Sequence, residues 1–378
     1  RRLARIQLCQ HQHPGCRGLD HGGAVGITTV KLAGSDVSIR AENLTETTVS
    51  AKPDGIAKGS DTGVGASIAI NISLNNTAAQ IENGEEVSGS AKNFIVDADS
   101  ANTAYTYAAA GAQGSTAVGG AIAIAYVDND TVARIGDGAG GTITLNGNLG
   151  ATATHSDKVI TSATGEAAGK GTGVGIALGL NIVQDTTTAE IARNFTGALN
   201  VDVESTAIIL AQAESRASVS GASSETNEDK DKDGTKDKAR DSDTESAKQS
   251  EFVGKRSGAD TANTPSQSSG SSLGKANENT EKQSGNSSDS GGGVGVAASI
   301  AVNYLDADNT ARIADSVTIN ASGNMDVIAT QEVDAKAWGL ASATKDPTSQ
   351  NEDTAVAAAV GLNIVLAGNR AELGASSD

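Results

Sequence analysis

The chain has 378 residues, of which 37% are hydrophobic and only 2% aromatic, while glycine alone supplies 45. So few large side chains can neither fill a thick spherical core nor line the aromatic-walled pockets where small molecules usually bind; they suit a thin core built of stacked layers. A formal net charge of −18, with an isoelectric point near 4.6, argues against nucleic acid and anionic membrane surfaces as partners.

In chain order, residues 1–21 are basic and hold both cysteines (Cys9, Cys16) and three of the four histidines (His11, His13, His21). Cys9, His11, His13 and Cys16 offer four soft zinc ligands, but their spacing fits no zinc-finger pattern. The segment reads instead as a disordered or non-native tail. The rest of the chain is free of cysteine, so no disulfide framework is expected. The chain starts at Arg1 and its one methionine is Met325, which suggests a piece of a longer protein whose signal peptide, if any, lies elsewhere. The most apolar stretch, GVGIALGLNIV at 173–183, is too short and too glycine-broken to span a membrane.

Residues 22–220 and 293–378 are dominated by one template in five copies. They are GVGASIAINISLNNTAAQI (63–81), AVGGAIAIAYVDNDTVARI (117–135), GVGIALGLNIVQDTTTAEI (173–191), GVGVAASIAVNYLDADNTARI (293–313) and AVAAAVGLNIVLAGNRAEL (355–373). Asn71, Ala125, Asn181, Asn303 and Asn363 hold equivalent positions, separated by 54, 56, 122 and 60 residues. The long interval is one normal period plus an insert. Within each copy the apolar residues alternate, as in Val64, Ala66, Ile68, Ile70, Ile72 and Leu74. Period two over about ten residues specifies a β-strand with one face buried, and the aliphatic parity, which includes Tyr126 and Tyr304, is expected to face the core. The polar groups NNT, DND, QDT, DADN and AGN then read as turns, followed by a short strand that ends at Ile81, Ile135, Ile191, Ile313 or Leu373.

Self-similar strand blocks of this kind predict an all-β fold, a β-solenoid. Coils of roughly 20 residues would fit two to three times into each repeat. An array of small β-sandwiches is the alternative, but about 56 residues without large side chains give each unit too little core. Asn71, Asn181, Asn303 and Asn363 invite an amide ladder between repeats, broken at Ala125; four independent surface asparagines are the other reading.

Residues 221–292 change character to Ser, Asn, Asp, Glu, Lys, Gly and Thr. So little apolar surface cannot offset ordering entropy, and a long disordered acidic, serine-rich insert is expected. Within it, Asp229, Asp231, Asp233, Gly234 and Asp237 follow the start of a calcium loop, where hard oxygen ligands converge around a glycine turn. Arg240 stands where an EF-hand has its bidentate Glu, and lysines interleave the acids, so a plain mixed-charge linker competes with calcium as the explanation.

No constellation of catalytic residues stands out. His155 is the one histidine in the repeats and is expected on an exposed strand end. The chain reads as a non-enzyme.

The run GVGxxIAxN…TAxI…VTIxAxGNxxVxAT resembles the repeats of very large filamentous bacterial adhesins, of the filamentous haemagglutinin and leukotoxin-type adhesin kind. The resemblance covers most of residues 22–378 outside the insert. It implies a passenger region folded as a right-handed parallel β-helix, secreted or displayed on the outer-membrane surface of a Gram-negative bacterium. The implied role is an adhesive stalk that attaches to host cells, other bacteria or abiotic surfaces. No site residues carry over. A fragment of a β-helix carbohydrate-active enzyme is the alternative, and the uncapped ends of a cut rod predict end-to-end self-association.

Overall fold

The computed structural model describes residues 29–53, 55–138, 141–221, 294–344 and 354–375. Among them, twelve β-strands and no helix occur: β1 (Thr29–Ala51), β2 (Ala57–Lys58), β3 (Thr62–Ile81), β4 (Glu86–Ile135), β5 (Ile143–Leu145), β6 (Leu149–Ile191), β7 (Phe195–Ala198), β8 (Val201–Gly221), β9 (Val294–Ile313), β10 (Ile319–Ala321), β11 (Met325–Thr344) and β12 (Thr354–Leu373). The strand pairings are parallel throughout. The protein is an all-β solenoid.

Two broad sheets face each other. The first stacks β1, the first half of β4, the first half of β6, β8 and β11. The second stacks β3, the second half of β4, the second half of β6, β9 and β12. Short strands β5, β7 and β10 pair along one edge and close the coil there. The 221–292 insert leaves the stacking frame intact, because β9 docks on β6 in register, Asn181 opposite Asn303.

Two expectations need correction. The coil is far larger than 20 residues: Asn71 pairs with Ala125 and Ala125 with Asn181, so an entire repeat makes a single turn of the solenoid. The polar groups that read as turns lie inside continuous strands. In β3, Asn75 and Thr77 point inward while Asn76 points outward. The Asn75 amide finds its partners within the interior, Asn102 and Asn129 among them, instead of bending the chain.

The second correction concerns parity. In β3 the small residues Gly65, Ser67, Ala69, Asn71 and Ser73 are buried, whereas Val64, Ile68, Ile70 and Ile72 are 62%, 61%, 54% and 64% exposed. Tyr126 likewise lies on the outer parity, where its hydroxyl donates to Gln184 Oε1 at 2.9 Å. Tyr304 pairs with Ile182 on that face.

The reason is the thickness of the interior, which tapers. Beside the short edge strands it holds Phe94, Phe195, Ile135, Ile143, Leu149 and Ile191, with the two phenylalanine rings edge-to-face at 5.5 Å. Its middle holds Val127, Val159, Val183, Ile209 and Leu305. Toward the opposite edge it is almost entirely alanine. There the sheets approach to backbone contact: a Cβ on Gly119 would lie 1.8 Å from the Glu166 carbonyl oxygen, and one on Gly165 would lie 1.9 Å from that of Ile176. A large aliphatic cannot fit in that gap, so the chain turns its aliphatics outward.

The edge carrying the short strands has its own clamp. Buried Arg193 donates from Nε to the Gly136 carbonyl at 3.0 Å and from Nη2 to those of Glu85 at 2.8 Å and Asp137 at 3.1 Å, tying three successive coils together.

The taper gives a paired test. Gly119→Ala must push the two sheets apart and is expected to cost about 1–3 kcal/mol. Its neighbour Gly120 has nothing within 4 Å of the added atom, so Gly120→Ala should stay within about 0.5 kcal/mol of the parent. Urea unfolding followed by circular dichroism compares them.

Candidate functional site

The inward polar residues form a ladder along the solenoid axis. In the second sheet Asn75, Asn129 and Asp185 are stacked in register. Asn75 donates through Nδ2 to Asn129 Oδ1 at 2.8 Å, and Asn129 donates through Nδ2 to Asp185 Oδ1 at 2.6 Å. Across the interior, Asn102 donates to Asp157 Oδ1 at 2.7 Å, while Asn75 also reaches Asn102 Oδ1 at 3.3 Å. Both amide runs point the same way and end on carboxylates, which accept and have nothing to donate.

His155 completes the group. Strand alternation puts it on the same face as Asp157, and its Nε2 lies 3.3 Å from Asp185 Oδ1. Its Nδ1 stands 3.4 Å from the Thr131 hydroxyl. His155 and Asp157 are fully buried and Asp185 nearly so. The structure therefore overturns the exposed position expected for His155. Burial works against its charged form, but the surrounding carboxylates, Asp185 first and then Asp157 and Asp99, together outweigh that and lift the imidazole above its ordinary range. Burial, then repulsion from Asp185, drives the Asp157 carboxyl well above the usual carboxylate range. Among the described residues, His155, Asp157 and Asp185 are the grouping of histidine and carboxylate ligand atoms close enough to hold a metal ion, all within 4.8 Å of one another. Sealed from solvent, the arrangement can hold a cation or protons.

The sequence signals for this cluster are His155 and Asp157 two apart on one strand, and Asp185 in the QDT group that aligns with NNT and DND. What joins them is the facing of the two sheets, which no linear spacing encodes.

The asparagine column singled out from the repeats is in register as expected, but it makes one rung of a ladder. Asn303 Nδ2 donates to Asn363 Oδ1 at 3.0 Å. Asn71 turns to Thr47 Oγ1 at 3.1 Å and the Tyr105 carbonyl at 3.3 Å, and the Asn181 amide has no hydrogen-bond partner. A second amide column emerges at the solvent-facing bend: the Asn148 N–H donates to Asn93 Oδ1 at 2.7 Å, Asn200 Nδ2 to Asn148 Oδ1 at 3.2 Å, and the Asn324 N–H to Asn200 Oδ1 at 3.1 Å. Asp229, Asp231, Asp233 and Asp237, the calcium-loop candidates, lie outside the described residues, as do Cys9, His11, His13 and Cys16.

The other feature is the outer face of the second sheet. Parallel register stacks like on like: Val64, Val118, Val174, Val296 and Val356 form one row, and Ile70, Ile124, Leu180, Val302 and Leu362 another. Five strands about 4.8 Å apart and nine residues of about 3.3 Å each make a field of roughly 700 Å², above the patch size that a soluble monomer usually exposes. Beyond its far margin, Glu190 pairs with Arg134 on one neighbouring coil and Arg312 on the other, each through Nε at 2.8 Å.

No family model, curated protein or solved structure matches this chain. Among the described residues, no helix is long and apolar enough to cross a membrane.

Cutting the interior ladder has a defined cost. Asn129→Ala leaves a buried Asp185 oxygen without its donor, and the expected loss is about 1–3 kcal/mol. Asn76→Ala, one residue along from Asn75 and on the outer face, should be close to neutral. Thermal melts of the two variants against the parent decide it.

Proposed function

We propose that this chain is a stalk segment of a secreted or surface-displayed bacterial adhesin, and that its coils pair with a second copy of the chain through the aliphatic field. The observation that carries the reading is the in-register aliphatic outer face, continuous over β3, β4, β6, β9 and β12. Leaving it in water costs free energy in proportion to its area, at about 25 cal/mol per Å².

A second copy suits that face better than any other occupant. The field is a regular array of in-register rows, which another sheet would match, and sheets pack face to face about 10 Å apart. Its roughly 700 Å² is close to the area each partner contributes to a standard stable interface. The 221–292 insert is too poor in apolar residues to cover it. Paired slabs leave their outer faces and bends free, which is where attachment to cells or surfaces would take place. The parallel stack supports the stalk role directly, because every added repeat extends the same frame without a new core.

Light scattering with size-exclusion chromatography tests the pairing. The parent is expected to run as a dimer at micromolar concentration, and Ile70→Lys with Ile124→Lys and Leu180→Lys as a monomer with an unchanged circular dichroism spectrum. A parent that stays monomeric, or a triple variant that stays dimeric, rules the face out. Beads coated with the parent should adhere to cells or polymer surfaces more than beads coated with an unrelated acidic protein; equal adhesion counts against the adhesin reading whatever the oligomeric state.

A further inference from the structure

We propose that His155, Asp157 and Asp185 form a buried structural site for a borderline divalent cation, zinc being the one whose ligand preferences fit best. Each of the three residues offers two polar atoms, and in each one atom faces a supporting partner. Asp157 Oδ1 accepts from Asn102, Asp185 Oδ1 accepts from Asn129, and His155 Nδ1 faces the Thr131 hydroxyl. Of the three atoms that remain, Asp157 Oδ2 and Asp185 Oδ2 are fully buried and make no hydrogen bond, and His155 Nε2, also buried, has only the Asp185 carboxylate beside it, at 3.3 Å. Metal ligands are supported in just this way, with outer partners fixing the rotamer and, for histidine, the tautomer, so that the free atom turns to the ion.

Charge arithmetic agrees. Burying a carboxylate costs several kcal/mol unless it is compensated, and here two share one dry space. A divalent cation with two carboxylates and a neutral imidazole sums to zero. One nitrogen and two carboxylate oxygens form a donor set that zinc accepts, and three protein ligands leave its fourth position to water.

The site also breaks the repeat at one place only. The positions aligned with Asp157 are Thr45, Asn102, Ile209 and Val333; those aligned with Asp185 are Asn75, Asn129, Ala307 and Ala367. Among these coils, the ionisable residues arrive together, on both sheets of a single coil. Because all three residues are buried, the ion enters during folding, and it locks the two sheets at the depth where the interior passes from large side chains to small ones.

The test uses the full chain carrying Cys9→Ser, His11→Ala, His13→Ala and Cys16→Ser, so that the amino-terminal segment takes up no zinc. The protein is unfolded in chelator, refolded with Zn²⁺, desalted and analysed for metal by mass spectrometry. One zinc per chain is expected, with a melting temperature above that of the same protein refolded in chelator. Asp157→Asn with Asp185→Asn, in the same background, repeats the amides that Asn102 and Asn129 already accommodate one coil away, so it should fold. It is expected to retain no zinc and to melt identically with and without it. Thr131→Val, which removes the histidine's support, should weaken zinc affinity about 10–100-fold. Zinc held equally by the double Asn variant overturns the proposal. So does a parent that holds none and melts the same in chelator and in zinc, in which case protons alone fill the cluster.

Discussion

Parallel, in-register stacking of coils one repeat long is the constraint on which the rest of the structure depends. It forces each residue to meet its own counterpart above and below, so any property of a template position is multiplied into a column. An aliphatic position becomes an aliphatic row, an asparagine position can become a chain of amides, and an arginine next to a glutamate becomes an alternating ion ladder such as Arg134, Glu190 and Arg312. Backbone hydrogen bonding is satisfied between coils, which frees the side chains to set the spacing between the two sheets.

That spacing explains why the sequence was legible in one respect and misleading in another. The repeats, the strand periodicity and the interruption between Gly221 and Val294 could all be read from residue order, because they depend on neighbours along the chain. Which face of a strand is buried depends on how far away the opposite sheet lies. Hydrophobicity points Ile68 and Ile70 inward; the glycines and alanines around Gly119 and Gly165 show that the gap has no room for them. The usual rule that large apolar residues go inside presumes an interior thick enough to hold them.

Coil size was obscured for a related reason. Asn75-Asn76-Thr77 has the composition of a turn, and an isolated strand ending there would be a fair inference. Within the solenoid, Asn75 has Asn129 directly beneath it as an acceptor, so the strand runs on to Ile81 and the coil grows to the full repeat. The candidate site was half visible: His155 and Asp157 lie on one strand with the spacing that puts them side by side, but Asp185 joins them only through the second sheet. Its polar column was in the alignment of the five copies from the start, as Asn75, Asn129 and Asp185.

The size of the coil bears on how such a protein uses its length. One turn takes up about 55 residues yet raises the stack by the spacing between neighbouring strands, about 4.8 Å. A thousand residues folded this way would therefore climb only some 90 Å, whereas turns of twenty residues would take the same chain to about 240 Å. What the long coil provides is breadth, since a twenty-residue strand is about 65 Å from end to end. Each added repeat lays down another course of that breadth, so a stalk built this way is a broad plank instead of a thin thread.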